Sequence, residues 1–385
     1  MRISAAMSRT PEADLAAMEA ADAAGRDLDG AVAGLVIVLV TPEHGEDLAA
    51  VAAAVDARLE PQVLLGAVAD GVVGPDAEVE SGPAVVVWTA DLGEGRAVPF
   101  RAWTMRPERG GIAVGGWPDT APGELTIVLA DPFSFPMAEV VRRVGGQRPG
   151  QPITGGLVTG GQGHSRLLLD GAVHEDGAVG VVLQEVDAGS IVSQGCRPVG
   201  EPLTVTAADR NRILELAGAP ATQRLRELLD EVDEHDRELL SHGGLQLGLV
   251  ADEVRDDYTP GDFLVRGVLG VDPETGVITV GDLIHVGQTV QFQVRDAVTA
   301  STDLETRLSG AGPAAGGLLF TCTGRGQALF GEPDHDLHQV AGALGGPVAG
   351  AFCAGELGPV GARSHLHGFT ASVVVFGGDQ VAGGT

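Results

Sequence analysis

Two stretches near the C-terminal end hold the residue types that could do chemistry. Phe320-Thr321-Cys322-Thr323-Gly324-Arg325-Gly326 ends an apolar run, and Pro347 to Gly358, PVAGAFCAGELG, carries Cys353 and Glu356 inside a glycine-rich frame. In open α/β sheets ligands collect at the carboxyl ends of strands, where backbone groups are exposed. A C-x-G-R-G loop at such a place would offer the Cys322 thiol, the N–H groups of Gly324 and Gly326 and the Arg325 guanidinium to one space. Gly355 would give further backbone access and Cys353 would line the same space. Arg325 could clamp a carboxylate bidentately while Glu356 holds an ammonium or orients the arginine. Hydrogen bonds involving a charge contribute about 1.5–3 kcal/mol each, so three approach the roughly 8 kcal/mol of a micromolar ligand before the cost of immobilising it. The set fits a small zwitterion such as an amino acid, with Arg197 reaching in from Gly195-Cys196-Arg197-Pro198-Val199-Gly200. The plainer structural reading is an internal ion pair between Arg325 and Glu356.

A thiol enzyme is the alternative, with Cys322 or Cys353 as nucleophile and His365 or His367 as base. Cysteine is among the residue types most often buried, and no third group to orient the base is identifiable, so catalysis is the weaker reading. His365-x-His367 with Cys353 would supply three ligands on alternate strand positions. No paired cysteine spacing accompanies them, and neither a metal nor a cofactor is expected.

The elements that must position these groups come in copies. VLLGAVADGVVG (Val63 to Gly74), PITGGLVTGGQG (Pro152 to Gly163) and PVAGAFCAGELG share a G-x4-G-x2-G frame: Gly66, Gly71, Gly74; Gly155, Gly160, Gly163; Gly350, Gly355, Gly358. Each frame follows a short apolar run that reads as a buried strand (Leu35 to Val40, Leu125 to Ala130, Leu318 to Cys322). Between run and frame lies a helical period: Leu48, Val51, Ala52, Val55; Met137, Val140, Val141, Val144; Leu337, Val340, Ala341, Leu344. Asp334, after Pro333, is the expected N-cap of the third helix. A second apolar strand closes each copy at Ala84 to Trp88, Ala178 to Leu183 and Ser372 to Phe376. A fourth, degraded copy without the glycine frame is drawn over Leu203 to Asp296, with a helix at Ala219 to Val232.

One helix per unit cannot cover both faces of a sheet, so the copies must pack on one another. The expected class is α/β (α+β), built of pseudo-duplicated β-α-β-β units in mixed sheets with helices outside and two packed domains. Residues 1–29 read as an Ala-rich tail or helix, 30–200 as a domain of two copies, and 201–385 as a domain of one degenerate and one full copy, with the junction at Gly195 to Gly200. Glycine also permits close strand approach, so the first two frames carry a purely structural reading as well.

Composition narrows the partners. A net charge of -29 over 385 residues, without a basic cluster, argues against nucleic acid and anionic membranes, which need a local excess of cations. The sequence contains no lysine, which removes Schiff-base and P-loop lysine chemistry. Three cysteines without a CxxC argue against a disulfide framework and for the cytoplasm. The N-terminus lacks the apolar segment of a secretory signal. No apolar run reaches the ~20 residues of a membrane helix.

LLFTCTGRGQALFG, PVAGAFCAGELGPVG and LHGFTASVVVF resemble the C-terminal signature of the FIST family, and GVLGVDPETGVITVGDLIHVGQTVQFQVRD is similar to the first part of the same domain. GLVIVLVTPEHGEDLAAVAAAV, VLLGAVADGVVG and SQGCRPVG resemble the paired FIST N-terminal domain, where Ala67 stands in place of a cysteine typical of the family. The resemblance spans about residues 30 to 376. It implies an intracellular sensory module of signal transduction that binds small ligands such as amino acids, and a separate signalling protein as its partner.

Overall fold

The computed structural model describes residues 1–107, 111–161, 165–251, 258 and 260–378. Gly163 and His164 lie outside them. The fold is mixed α/β, in two compact units: one of residues 1–193, 304–366 and 370–385, the other of 194–303 with 367–369.

In the first unit each of the three copies forms a parallel strand pair joined by its helix. Leu35–Val40 pairs with Leu64–Val68 across helix Leu48–Leu59, Leu125–Ala130 with Ile153–Leu157 across Met137–Gln147, and Gly316–Cys322 with Val348–Cys353 across His335–Leu344. Val85–Asp91, Ala178–Gln184 and Thr370–Phe376 close the copies, each antiparallel to its opening strand. After its frame, each copy sends a strand into a neighbour's sheet. Gly71–Val73 pairs with Val348–Cys353, Gly355–Val360 with Ile153–Leu157, and Leu167–Leu169 with Leu64–Val68. First to third, third to second and second to first, the exchange closes a ring of three, so the copies are not paired two by two.

Alternation along the strands explains the layers. Leu35, Ile37, Leu39, then Leu125, Ile127, Leu129, then Leu318 and Phe320 point into one shared core, joined by Trp88, Val181 and Phe376 of the closing strands. The intervening residues face outward under the helices: Val36 and Val38 under Val51 and Val55, Val128 and Ala130 under Val140 and Val141, Leu319 under Leu337 and Val340. Both faces are covered, which is why the opening runs are continuously apolar.

The N-terminal segment is more than a helix. Arg2–Ser8 is a strand on the edge of the first sheet, antiparallel to Val85–Asp91, and helix Ala13–Asp27 buries Ala16, Ala17, Ala20, Ala21 and Ala24. The strand is missed in the sequence because RISAAMS has little β-branched content.

The second unit departs from the copy drawn over it. Leu203–Asp209, Arg212–Leu216, Val277–Val280, Phe263–Asp272, Leu245–Val250 and Thr289–Arg295 pair in that order, and the last returns to the first. All of these pairings are antiparallel, so the unit is a closed six-stranded barrel and no fourth β-α-β copy. Val205, Ile213, Leu247, Ile278, Phe292 and Val294 fill it, and Leu225 and Leu228 of helix Ala221–Glu231 pack on the same core.

Candidate functional site

The third copy's parallel pair places Cys322 opposite Cys353 at the carboxyl ends of both strands. Gly355 then starts the exchanged strand and pairs with Leu157, which sets Glu356 opposite Gly156. Only glycine fits at 156, because a Cβ there would lie 2.2 Å from the Cys353 sulfur.

Arg325 turns inward, its N–H donating to the Cys322 carbonyl at 2.8 Å. The guanidinium is fully buried and grips Asp336 bidentately, Nε to Oδ2 at 2.6 Å and Nη2 to Oδ1 at 2.8 Å, with the Phe330 ring 5.2 Å away. Thr321 donates its hydroxyl to the same carboxylate at 2.7 Å. Burial opposes ionisation of Asp336, but the charge and hydrogen bonds of Arg325 outweigh it and hold the carboxyl well below its ordinary range. The internal ion pair is therefore Arg325–Asp336, and no ion pair joins Arg325 to Glu356. Asp336 was open to sequence reading only as an acidic residue in a helix's first turn, which is ordinarily a dipole effect.

Glu356 is also fully buried, and each of the two residues acts electrostatically on the other. Its Oε2 accepts from the N–H of Thr370 at 3.1 Å and from the Thr370 hydroxyl at 2.7 Å. Its Oε1 has no nitrogen or hydroxyl donor among the described residues, and the weakly donating Cys322 thiol is directed at the carboxyl. Burial pushes this carboxyl up to about 8, with the Thr370 hydrogen bonds and the charge of Arg325 opposing. At neutral pH Glu356 is chiefly a neutral acid and not a full counter-charge.

The backbone groups of the loop are engaged from within. Gly324 donates to the Cys322 sulfur at 3.4 Å. Gly326 takes φ +58°, and a Cβ on it would meet Glu80 Oε1 at 2.7 Å, the same oxygen that accepts from the Gln327 N–H at 2.8 Å. A carboxylate of the first copy thus occupies the position expected for a ligand's. Asp334 does not cap helix His335–Leu344; its carboxylate accepts from the Glu78 N–H at 2.6 Å, while Glu78 Oε1 accepts from the Leu337 N–H at 3.0 Å. Burial raises the Glu78 carboxyl to about 7, and Asp336, Asp334 and Glu80 add to this against the Leu337 hydrogen bond. Among the described residues, no three of these acids, histidines or cysteines gather in a metal-binding geometry.

Arg197 belongs to the second unit, on strand Cys196–Pro198, where Asp236 takes Nη1 at 3.1 Å and also binds Nη2, and Asp296 takes Nε at 3.2 Å. Burial and then the neighbouring Glu356 and Cys322 push the Cys353 thiol well above its ordinary range, the reverse of an activated nucleophile. His365 stands on strand Arg363–His367, which neighbours the exchanged strand Gly355–Val360, and His367 falls in the second unit.

Three interlocked α/β copies in one unit, one of them with buried ionisable groups at its strand ends, and an antiparallel barrel in the other define a two-unit α/β protein whose candidate site lies in the third copy. The FIST N domain matches residues 34–219 and the FIST C domain residues 221–359, and the chain belongs to the FIST family. FIST domains are sensor domains of signal transduction, which points to a sensory role. An uncharacterised protein of Mycobacterium tuberculosis strain H37Rv is 44% identical over 384 residues, covering 98% of this chain and 100% of that protein. An uncharacterised protein of Mycobacterium bovis is 42% identical over 389 residues, covering 99% of this chain and 100% of that protein. Among the described residues no helix is long and apolar enough to cross a membrane.

Proposed function

We propose that the chain is a cytoplasmic sensor of an amino acid or small carboxylate, recognised by the third copy and reported to a separate signalling protein. One observation carries this reading: in one buried cluster, among the described residues, Arg325 Nη1 has no hydrogen-bond partner and Glu356 Oε1 has no nitrogen or hydroxyl donor. A buried unpaired polar atom costs about 1–3 kcal/mol, and more when charged. A ligand carboxylate on Nη1 and a ligand N–H on Glu356 would relieve both. Cys322 and Cys353 supply the apolar, polarizable side of such a site. Three buried cysteines outside any disulfide among the described residues fit a reducing compartment, and the net charge of -29 turns away nucleic acid and anionic lipid. Arg325 and Glu356 are closed from solvent, so binding requires the Thr323–Gly326 segment to open, and the exchanged strands that join the copies give that opening a route to the rest of the first unit.

The test is a thermal-shift screen of the full chain against the proteinogenic amino acids and small dicarboxylates. A ligand at a hundred times its Kd stabilises by about 2.7 kcal/mol, which a melting curve resolves readily. At least one compound is expected to raise Tm, and Glu356→Gln to remove the rise. Arg325→Ala is the wrong probe, since it strands Asp336 as an unpaired buried charge at about 3–5 kcal/mol. A flat response across the panel refutes the proposal.

A further inference from the structure

The second unit holds a polar cluster that none of the foregoing uses. On the barrel strands Leu245–Val250 and Thr289–Arg295, Gln246 and Gln293 are paired in register. Leu247, Leu249, Phe292 and Val294 point into the barrel, so the two glutamines lie on its outer face. That face is nevertheless buried: Gln293 is 0% exposed and Gln246 5%. The Gln293 amide lies over Gly248, which leaves room for it, and the Gln246 amide approaches Gly267. A Cβ at Gly248 would come within 2.6 Å of Gln293 Nε2 and 3.0 Å of Phe263, and one at Gly267 would sit 3.8 Å from Gln246 Oε1. Gln194 donates its Nε2 to the Phe263 carbonyl at 2.9 Å, and the His367–Phe369 turn approaches the same face, with Gly368 packed against the Val265 carbonyl. Among the described residues, both polar atoms of Gln293 and the Oε1 atoms of Gln246 and Gln194 have no hydrogen-bond partner.

Four unpaired amide atoms on three buried side chains are costly, and hydrophobic residues of the same length would avoid the penalty. We infer that this face is a second small-molecule site, distinct from the third-copy cluster and independent of its assignment. Its ligand is an uncharged molecule with a paired donor–acceptor edge: a primary amide, a lactam or a nucleobase. A carboxamide presents one acceptor and one donor side by side, the geometry by which Gln and Asn read an adenine edge bidentately. Gln293 supplies that pair, and Gln246 and Gln194 add acceptors for further N–H groups. The three amides carry no formal charge, so an ionic ligand would lose its hydration without gaining a counter-charge from them. Arg295, two residues along the strand from Gln293, places its guanidinium over the Phe369 ring at 6.0 Å.

The probes are nicotinamide, uracil and adenine, which present the three kinds of edge, added separately to the full chain at millimolar concentration. At least one is expected to raise Tm in proportion to its concentration. Gln293→Met keeps side-chain length and removes both polar atoms; it is expected to weaken that response at least tenfold and to leave any response to amino acids unchanged. Gln246→Met provides the same comparison should the first variant fail to fold. Wild-type protein that ignores all three probes, or a methionine variant that responds as the wild type does, overturns the inference.

Discussion

Arg325 reaches two carboxyl groups of different character, and burial alone does not sort them. Asp336 receives both arms of the guanidinium and the Thr321 hydroxyl, and stays ionised inside the protein. Glu356 has two bonds from Thr370 and no such partner, and its carboxyl rises to about 8. Glu78, at about 7, is raised by burial and by the acids around it. Between the ordinary glutamate range near 4.5 and these raised values the folded chain binds more protons than the unfolded one. Stability therefore falls as pH rises through that window. Urea unfolding from pH 5 to 9 is expected to show the loss, and Glu356→Gln, which cannot ionise, to flatten its upper part. A slope unchanged by the substitution would mean that Glu356 titrates normally.

At the scale of the element, the first glycine of each frame has one job in all three copies. A Cβ at Gly66, Gly155 or Gly350 would lie 2.3, 1.9 or 1.7 Å from the carbonyl oxygen of Val38, Val128 or Leu319 on the parallel neighbour. Each is also the residue opposite which a neighbouring copy's strand arrives: Leu168, Leu357 and Val73. Recurrence at this position follows from strand packing in every copy, whether or not a ligand binds. Gly350→Ala is expected to cost more than ~3 kcal/mol or to prevent folding, since the obstacle is backbone and cannot rotate away. Gly342, within helix His335–Leu344, has open space where a Cβ would go, and Gly342→Ala should stabilise by about 0.5–1 kcal/mol. Comparing the two denaturation midpoints checks both, and a wild-type midpoint for Gly350→Ala would contradict the packing account.

At the scale of the molecule, the exchange of strands makes the first unit indivisible. Gly71–Val73 finds its partner in Val348–Cys353, and Ile153–Leu157 is completed by Gly355–Val360, so each early copy depends on residues that follow the barrel. A fragment of residues 1–219 lacks those partners and leaves seven positions of the shared core, including Leu318, Phe320 and Phe376, without occupants. It is expected to be unfolded or aggregated, with no cooperative melting by circular dichroism. A sharp transition from the isolated fragment would show that the first two copies suffice.

Local patterning determined much of this protein. Continuous apolar runs, helical periods and the repeated frame were legible as β-α-β-β units in mixed sheets with helices outside, because period and spacing reflect neighbours a few residues away. The residue types of the candidate site and the family signature were legible for the same reason. The strand at Arg2–Ser8, the barrel, the ring of three and the Arg325–Asp336 pair were decided only by tertiary structure. Each depends on groups far apart in sequence or on the direction in which a side chain leaves its element. Which of two nearby acids an arginine grips, and whether a glutamate stays charged, follow from burial and donor geometry that spacing along a chain does not encode.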